Sequence, residues 1–382
     1  MTTQYYRALA LAALAILIAG CGGNSTKTAS QSCTVQALPQ EFAYQLDTSG
    51  DGTTVSMFAL NTCTGAISST TPSTAPTGIS PGQMAAEDMV VDPLGRFAYV
   101  ANLVSNASDQ ATIAMYTINR SNGVLTPTTP ATVATGFLPQ GITIDPTGKF
   151  VYTANSDDNT ISMFTINAGT GVLSPTTPPS VPAGWAPDFL TVDPSGRFLY
   201  ATNRNDGTIS MYTINAATGV LSPISPATVH GGADPFAIIV DPSGKFAYLA
   251  DNFANMVWQF TINQATGVLT PMTPPSAQAG QGTTAITLDP SGKFAYATNR
   301  IDGTLSMFIV NPVTGALTPN TTATIAAGNH PFRVLFDPSG KFLYAVNEES
   351  ATSVYTVNSD GTLTRAGTTG SGAIAMAITA IK

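Results

Sequence analysis

Late in the chain, Asn329-His330-Pro331-Phe332-Arg333 is followed by Asn347-Glu348, with Arg300 upstream. A carboxylate, guanidinium groups and an imidazole are what the addition of water to a carbonyl needs. Glu348 is the candidate base that activates water. Arg333 or Arg300 could stabilise the oxygen that becomes anionic, and His330 could protonate a leaving alkoxide. Guanidinium forks also grip a carboxylate or phosphate. The same residues admit a plainer reading, in which Glu348 and Arg333 form an ordinary ion pair and His330 is solvated.

A repeat positions these residues. The string Asp-Pro-x-Gly-[Lys/Arg]-Phe-x-Tyr begins at Asp92, Asp145, Asp193, Asp241, Asp289 and Asp337, at intervals of 53 and then 48 residues. A partial copy, Phe42-Ala43-Tyr44, precedes them and makes seven anchors. Each unit reads as four short strands. An apolar run such as Ala237-Ile238-Ile239-Val240 suits a strand buried on both faces. Asp-Pro-Ser-Gly is turn chemistry. Phe-x-Tyr opens the second strand, and Ile209-Ser210-Met211-Tyr212-Thr213-Ile214 alternates like a third. Asn-x-x-Thr-Gly then turns into Val-Leu-[Ser/Thr]-Pro, whose proline belongs on an edge strand at the outer rim.

Repeated four-stranded units of this length predict an all-β fold, a seven-bladed β-propeller. Residues 42–68 supply three strands without a first. Ile374-Ala375-Met376-Ala377-Ile378 supplies a lone apolar strand. Together they are expected to complete one blade and close the ring. The turn slot absorbs six basic residues (Arg96, Lys149, Arg197, Lys245, Lys293, Lys341) and six aspartates as scaffold.

Function must lie where the repeats differ, in the loops around the mouth of the central channel. The loops entering the inner strands carry Glu87, Asp88, Gln140, Asp188, Asp234, and His330 with Arg333. The loops after the second strands carry Asp157, Asp158, Arg204, Asp251, Asn252, Arg300, Glu348 and Glu349. Arg204, Arg300, Asn347, Asp188 and Trp185 are the expected substrate-binding residues. Trp185, in an entry loop, is placed to stack a sugar, whereas Trp258 falls in a third strand and suits a core. Gly78-Ile79-Ser80-Pro81-Gly82 fits a nucleophile elbow by letter only, without its strand-to-helix context. The loop at residues 47–52 lacks the ligand spacing of a calcium site.

The unit, with Asp-Pro-Ser-Gly-Lys-Phe-Ala-Tyr, Asn-x-x-x-x-[Ile/Leu]-Ser-Met-[Phe/Tyr] and Asn-x-x-Thr-Gly-x-Leu, resembles the lactonase family of seven-bladed propellers over about residues 40–382. That family includes 6-phosphogluconolactonase and carboxymuconate cyclase. The resemblance implies a lactone-opening hydrolase with Glu348, Arg333 and His330 catalytic and no cofactor. Asn347-Glu348 matches the family's Asn-Glu motif. The family's Gly-Pro-Arg-His entry run is altered: Phe332 stands at its Arg, Arg333 at its His, and His330 lies before Pro331. The alternative is a non-catalytic propeller that binds a protein or polysaccharide across its mouth.

Residues 1–20 read as an address. Arg7 precedes an apolar run from Ala8 to Ala19, too short to span a bilayer comfortably. Ile18-Ala19-Gly20-Cys21 resembles a bacterial lipobox, so lipidation at Cys21 is expected, then a flexible tether to residue 40 and the propeller over 41–382. Cys33 and Cys63 are left to pair in an oxidising compartment. The expected location is the bacterial cell envelope, with membrane contact only through the lipid. A sugar-phosphate substrate would be out of place there.

Composition agrees. Charged residues are only 9% and hydrophobic residues 43%, enough for a large core. A net charge of −8 argues against nucleic acid as a partner. Two histidines and three cysteines exclude a His- or Cys-rich metal site. The expected partner is a small lactone or an envelope polymer, and the expected state a monomer.

Overall fold

The computed structural model describes residues 41–47, 54–79, 86–103, 111–370 and 372–380. They form seven four-stranded antiparallel sheets, with no helix among the described residues. The chain is a seven-bladed β-propeller. Blade 1 combines the C-terminal strand Ala373–Ala380 with Glu41–Asp47, Thr54–Leu60 and Ile67–Pro76. Blades 2 to 7 follow in chain order, with inner strands starting at Ala86, Pro139, Pro187, Pro235, Thr283 and Pro331. Cys21 and Cys33, like Ser80 and most of the 47–52 loop, lie outside the described residues. Cys63 is disulfide-bonded.

Blade 4 shows why each unit folds locally. Asp193 Oδ1 accepts the backbone N–H groups of Arg197 (2.8 Å) and Phe198 (2.7 Å). Pro194 and Gly196, at φ +71°, complete the turn between the first two strands. Phe198 and Tyr200, two apart, project from the same face of their strand. Tyr200 donates its hydroxyl to the carbonyl of Gly267 at 2.8 Å. Gly267 belongs to the Asn-x-x-Thr-Gly turn of blade 5, and a Cβ there would collide with the Phe198 ring.

Phe-x-Tyr and the glycine that ends the next blade's Asn turn are therefore two halves of an inter-blade lock. It recurs from Tyr44 on Gly123 (2.9 Å) through Tyr296 on Gly361 (2.9 Å). Tyr344 of blade 7 closes the circle on Gly65 of blade 1 at 2.7 Å. All seven tyrosines are fully buried. The sequence reading took these motifs only as strand and turn.

The outer strands run ten residues in blades 1 to 6, further than Val-Leu-[Ser/Thr]-Pro suggested. A register shift breaks each of them, as between Ser210 and Tyr212 in blade 4. Their prolines lie at the free edge, where a missing N–H leaves no ladder bond unmade.

Candidate functional site

The inner strands of blades 2 to 7 each begin with a bulge. In blade 4 the pairing jumps from Pro187↔Asn203 to Leu190↔Ala201. In blade 2 it jumps from Ala86↔Asn102 to Asp88↔Ala101. A bulge re-aims the unpaired side chain, and here the aim is the channel mouth. Glu87, Gln140, Asp188, Phe236, Thr284 and Phe332 occupy this position, five residues before each turn aspartate, and all line one cavity of about 240 Å³. Arg204, Asn252, Arg300 and Glu348, eleven residues after that aspartate, line the same cavity. Phe189 and Arg333 complete the lining.

Every cavity guanidinium is already held by a carboxylate. Arg204 forks onto Asp234 (2.9 and 3.2 Å) and reaches Asp188 at 3.2 Å. Arg300 donates through Nε (2.8 Å) to Glu348 Oε2, with Nη2 in ion-pair contact at 2.7 Å. Arg333 crosses from blade 7 to Asp88 of blade 2 at 3.2 Å. Its guanidinium also lies 4.0 Å from the Phe189 ring centroid of blade 4, within cation–π range. Arg333 thus ties three blades at the channel axis. The Glu348–Arg333 pair considered from sequence is not formed. Both residues reach the cavity and pair elsewhere.

The acidic groups are electrostatically uneven. Burial pushes Glu87 up to about 7, with Arg333 opposing and Asp188, Asp88 and Glu348 reinforcing the shift. Burial likewise raises Asp188 to about 6 against the pull of Arg204 and Arg333. Asp88 is raised by burial too, against Arg333. Asp234 goes the other way: hydrogen bonds from Arg204 and Asn252 overcome its burial and hold it low. Among the described residues Glu87 makes no ion pair, so its carboxyl faces the cavity uncommitted.

Arg204, Arg300, Arg333, Asp188 and Glu348, all expected at the mouth, are there. His330 is not among the cavity's lining residues. Its backbone is left-handed at φ +52°, and its Nδ1 lies 3.1 Å from Glu349 without hydrogen-bond geometry. Asn347 is scaffold: fully buried, it donates to the carbonyl of Ala351 at 2.7 Å. The same second-strand end is Asn or Asp in blades 2 to 7, which explains its presence without any ligand. Trp185 stands 60% exposed, outside the lining. Trp258 is bound within its blade, donating Nε1 to Asp251 at 3.1 Å.

Glu87 and the phenylalanines were not chosen from sequence. The signal was present: the residues five and four before each turn aspartate change chemical type from repeat to repeat.

The model of the lactonase, 7-bladed β-propeller family matches residues 52–186, 178–273 and 269–378. The chain belongs to this lactonase family. The solved structures that this lactonase-family propeller matches include a candidate 6-phosphogluconolactonase from Bacteroides fragilis, with a TM-score of 0.73 at 22% identity. That match covers 89% of this chain and 98% of the other. A second candidate 6-phosphogluconolactonase, from Bacteroides uniformis, gives 0.74 at 22% over 89% and 99%. The periplasmic gluconolactonase of Pseudomonas aeruginosa gives 0.72 at 18% over 90% and 99%. None of the curated protein sequences compared matches this propeller. At these identities the structural likeness carries the fold, and the chemistry must be argued from the cavity.

Proposed function

We propose that this protein is a lactone hydrolase of the bacterial cell envelope, anchored through Cys21. The supporting observation is Glu87, a carboxyl held near neutrality at the wall of a small cavity. A general base works best when its pKa lies near the working pH. In this reading Glu87, ionised, takes a proton from water as the water attacks the lactone carbonyl, and returns it to the ring oxygen as the ring C–O bond breaks, leaving the open hydroxy acid. Arg300 uses Nε and Nη2 on Glu348, which leaves Nη1 donors to stabilise the developing oxyanion. Arg333 keeps positive charge beside Glu87 and favours its ionised form. Glu348 then serves to orient Arg300, and His330 has no part. The signal-like N-terminus supports the envelope location, and membership of the lactonase family supports the reaction class.

The test is acid release by the purified protein over a panel of lactones, with Glu87→Gln and Glu348→Gln beside it. Loss of about a hundredfold or more in kcat on Glu87→Gln, with KM little changed, is the expected result. Full activity in Glu87→Gln would remove Glu87 as the base. No turnover of any lactone would remove the hydrolase reading and turn the search to the binding of an envelope polymer or protein.

A further inference from the structure

We infer that the cavity selects uncharged lactones bearing an apolar or aromatic substituent, and rejects phosphorylated or carboxylated ones. The inference rests on the hydrolase reading for the word lactone. The selectivity follows from the walls alone.

Charge comes first. Three guanidiniums face five carboxyls at this mouth: Glu87, Asp88, Asp188, Asp234 and Glu348. Each guanidinium is already engaged. A phosphate or carboxylate entering the cavity finds the charge of each guanidinium already offset by a carboxylate and meets an excess of carboxyls, which disfavours a second anion there. The whole chain, at −8, adds to the repulsion of anions.

The floor is aromatic. Phe189 and Phe236 lie 5.0 Å apart between ring centroids, and Phe236 and Phe332 5.3 Å in an edge-on contact. Arg333 and Arg204 lie over Phe189 and Phe236 respectively, so these rings also position the cations. The cavity, at about 240 Å³, has room for a small ring and little more. Any substituent must extend outward.

What it would meet outside is apolar. Trp185, Phe253 and Ile301 are 60%, 79% and 64% exposed. They sit on three consecutive blades, 4, 5 and 6, on the face that carries the cavity. Phe253 directly follows Asn252 and Ile301 directly follows Arg300, both cavity residues; Trp185 is three residues before Asp188. Single exposed apolar side chains are ordinary, but three of them on neighbouring blades around one cavity offer a surface for an apolar arm. A neutral ring in the cavity with an alkyl or aryl arm over this rim uses the charge balance, the aromatic floor and the apolar collar together.

Two series measured on the full chain decide it. The first is kcat/KM for δ-lactones with alkyl chains of increasing length, alongside glucono-δ-lactone and its 6-phosphate. The second is the binding of the matching alkyl δ-lactams, which resist hydrolysis, followed by tryptophan fluorescence. Both kcat/KM and lactam affinity should rise by up to about fourfold per methylene until the chain passes the rim. Trp185→Ala and Phe253→Ser should flatten that slope. The 6-phosphate should be the poorest lactone, by about tenfold or more. Chain-dependent lactam binding without turnover would uphold the selectivity and fail the hydrolase reading. Turnover that is fastest on the 6-phosphate, or independent of chain length, would overturn the selectivity and keep the hydrolase. Lactam binding without chain dependence and no turnover would overturn both.

Discussion

Glu87 and Arg333 set the pH behaviour of the site between them. Glu87 is raised to about 7, chiefly by burial. If its ionised form is the base, the rate of lactone opening rises with pH through about 7 and levels above it, a profile that kcat/KM measured from pH 5 to 9 would show. Arg333 opposes the shift, so Arg333→Gln should move that midpoint upward. The same change leaves Asp88 without its ion pair in a largely buried position. Breaking a buried pair from one side costs about 3 kcal/mol or more, which thermal unfolding would register as a lower Tm. A variant with a raised midpoint and a lowered Tm would show that Arg333 both positions Glu87 and ties the blades.

At the scale of the strand, the lock between neighbouring blades carries the architecture. Tyr152 donates to the carbonyl of Gly219 at 2.9 Å, and Gly219, at φ +74°, presses its Cα against the Phe150 ring. Gly219→Ala would force a Cβ into that ring in a left-handed backbone conformation. The expected cost is about 2 kcal/mol or more, from strain and overpacking together. Tyr152→Phe removes only the hydroxyl and leaves one buried carbonyl unpaired, an expected loss of about 1–2 kcal/mol. Chemical denaturation of the two single variants and the double measures both. If they act through one lock, the double variant should lose less than the sum.

The whole molecule depends on one closure. The strand Ala373–Ala380 pairs with Glu41–Asp47 and completes blade 1. Removing residues 373–382 should prevent the ring from closing, seen as loss of cooperative unfolding. Glu41, 3% exposed, stands at this seam where blades 2 to 7 carry Lys or Arg. Burial raises it to about 7, with Asp337 reinforcing and Lys341 opposing. Its folded pKa therefore lies above its unfolded value near 4.5. The native state holds the proton more tightly, so stability falls as pH rises from 4.5 through 7. The loss is on the order of 3 kcal/mol at full ionisation. Glu41→Gln should raise Tm at pH 8 and change it little at pH 4.5. An equal effect at both values would show that ionisation at the seam is not the cause.

The repeat alone determined the seven blades, the turn chemistry and the closing strand. Each rests on short-range rules: Asp-Pro-x-Gly turns, period-two strands and proline at an edge. It also placed Arg204, Arg300, Arg333, Asp188 and Glu348 at one mouth, because a repeated position maps to a repeated place in the ring. Partner choice was not legible. Glu348 pairs with Arg300 of the neighbouring blade, and Arg333 reaches past blade 1 to Asp88. Spacing along the chain assigns a side chain to a layer and a face. It does not say which of several long side chains converging on a channel axis will meet. Nor does it show that Asn347 is spent on its own loop, or that a bulge turns Glu87 inward. Those outcomes depend on distances across the channel and on how much water is excluded there, and only the closed ring sets them.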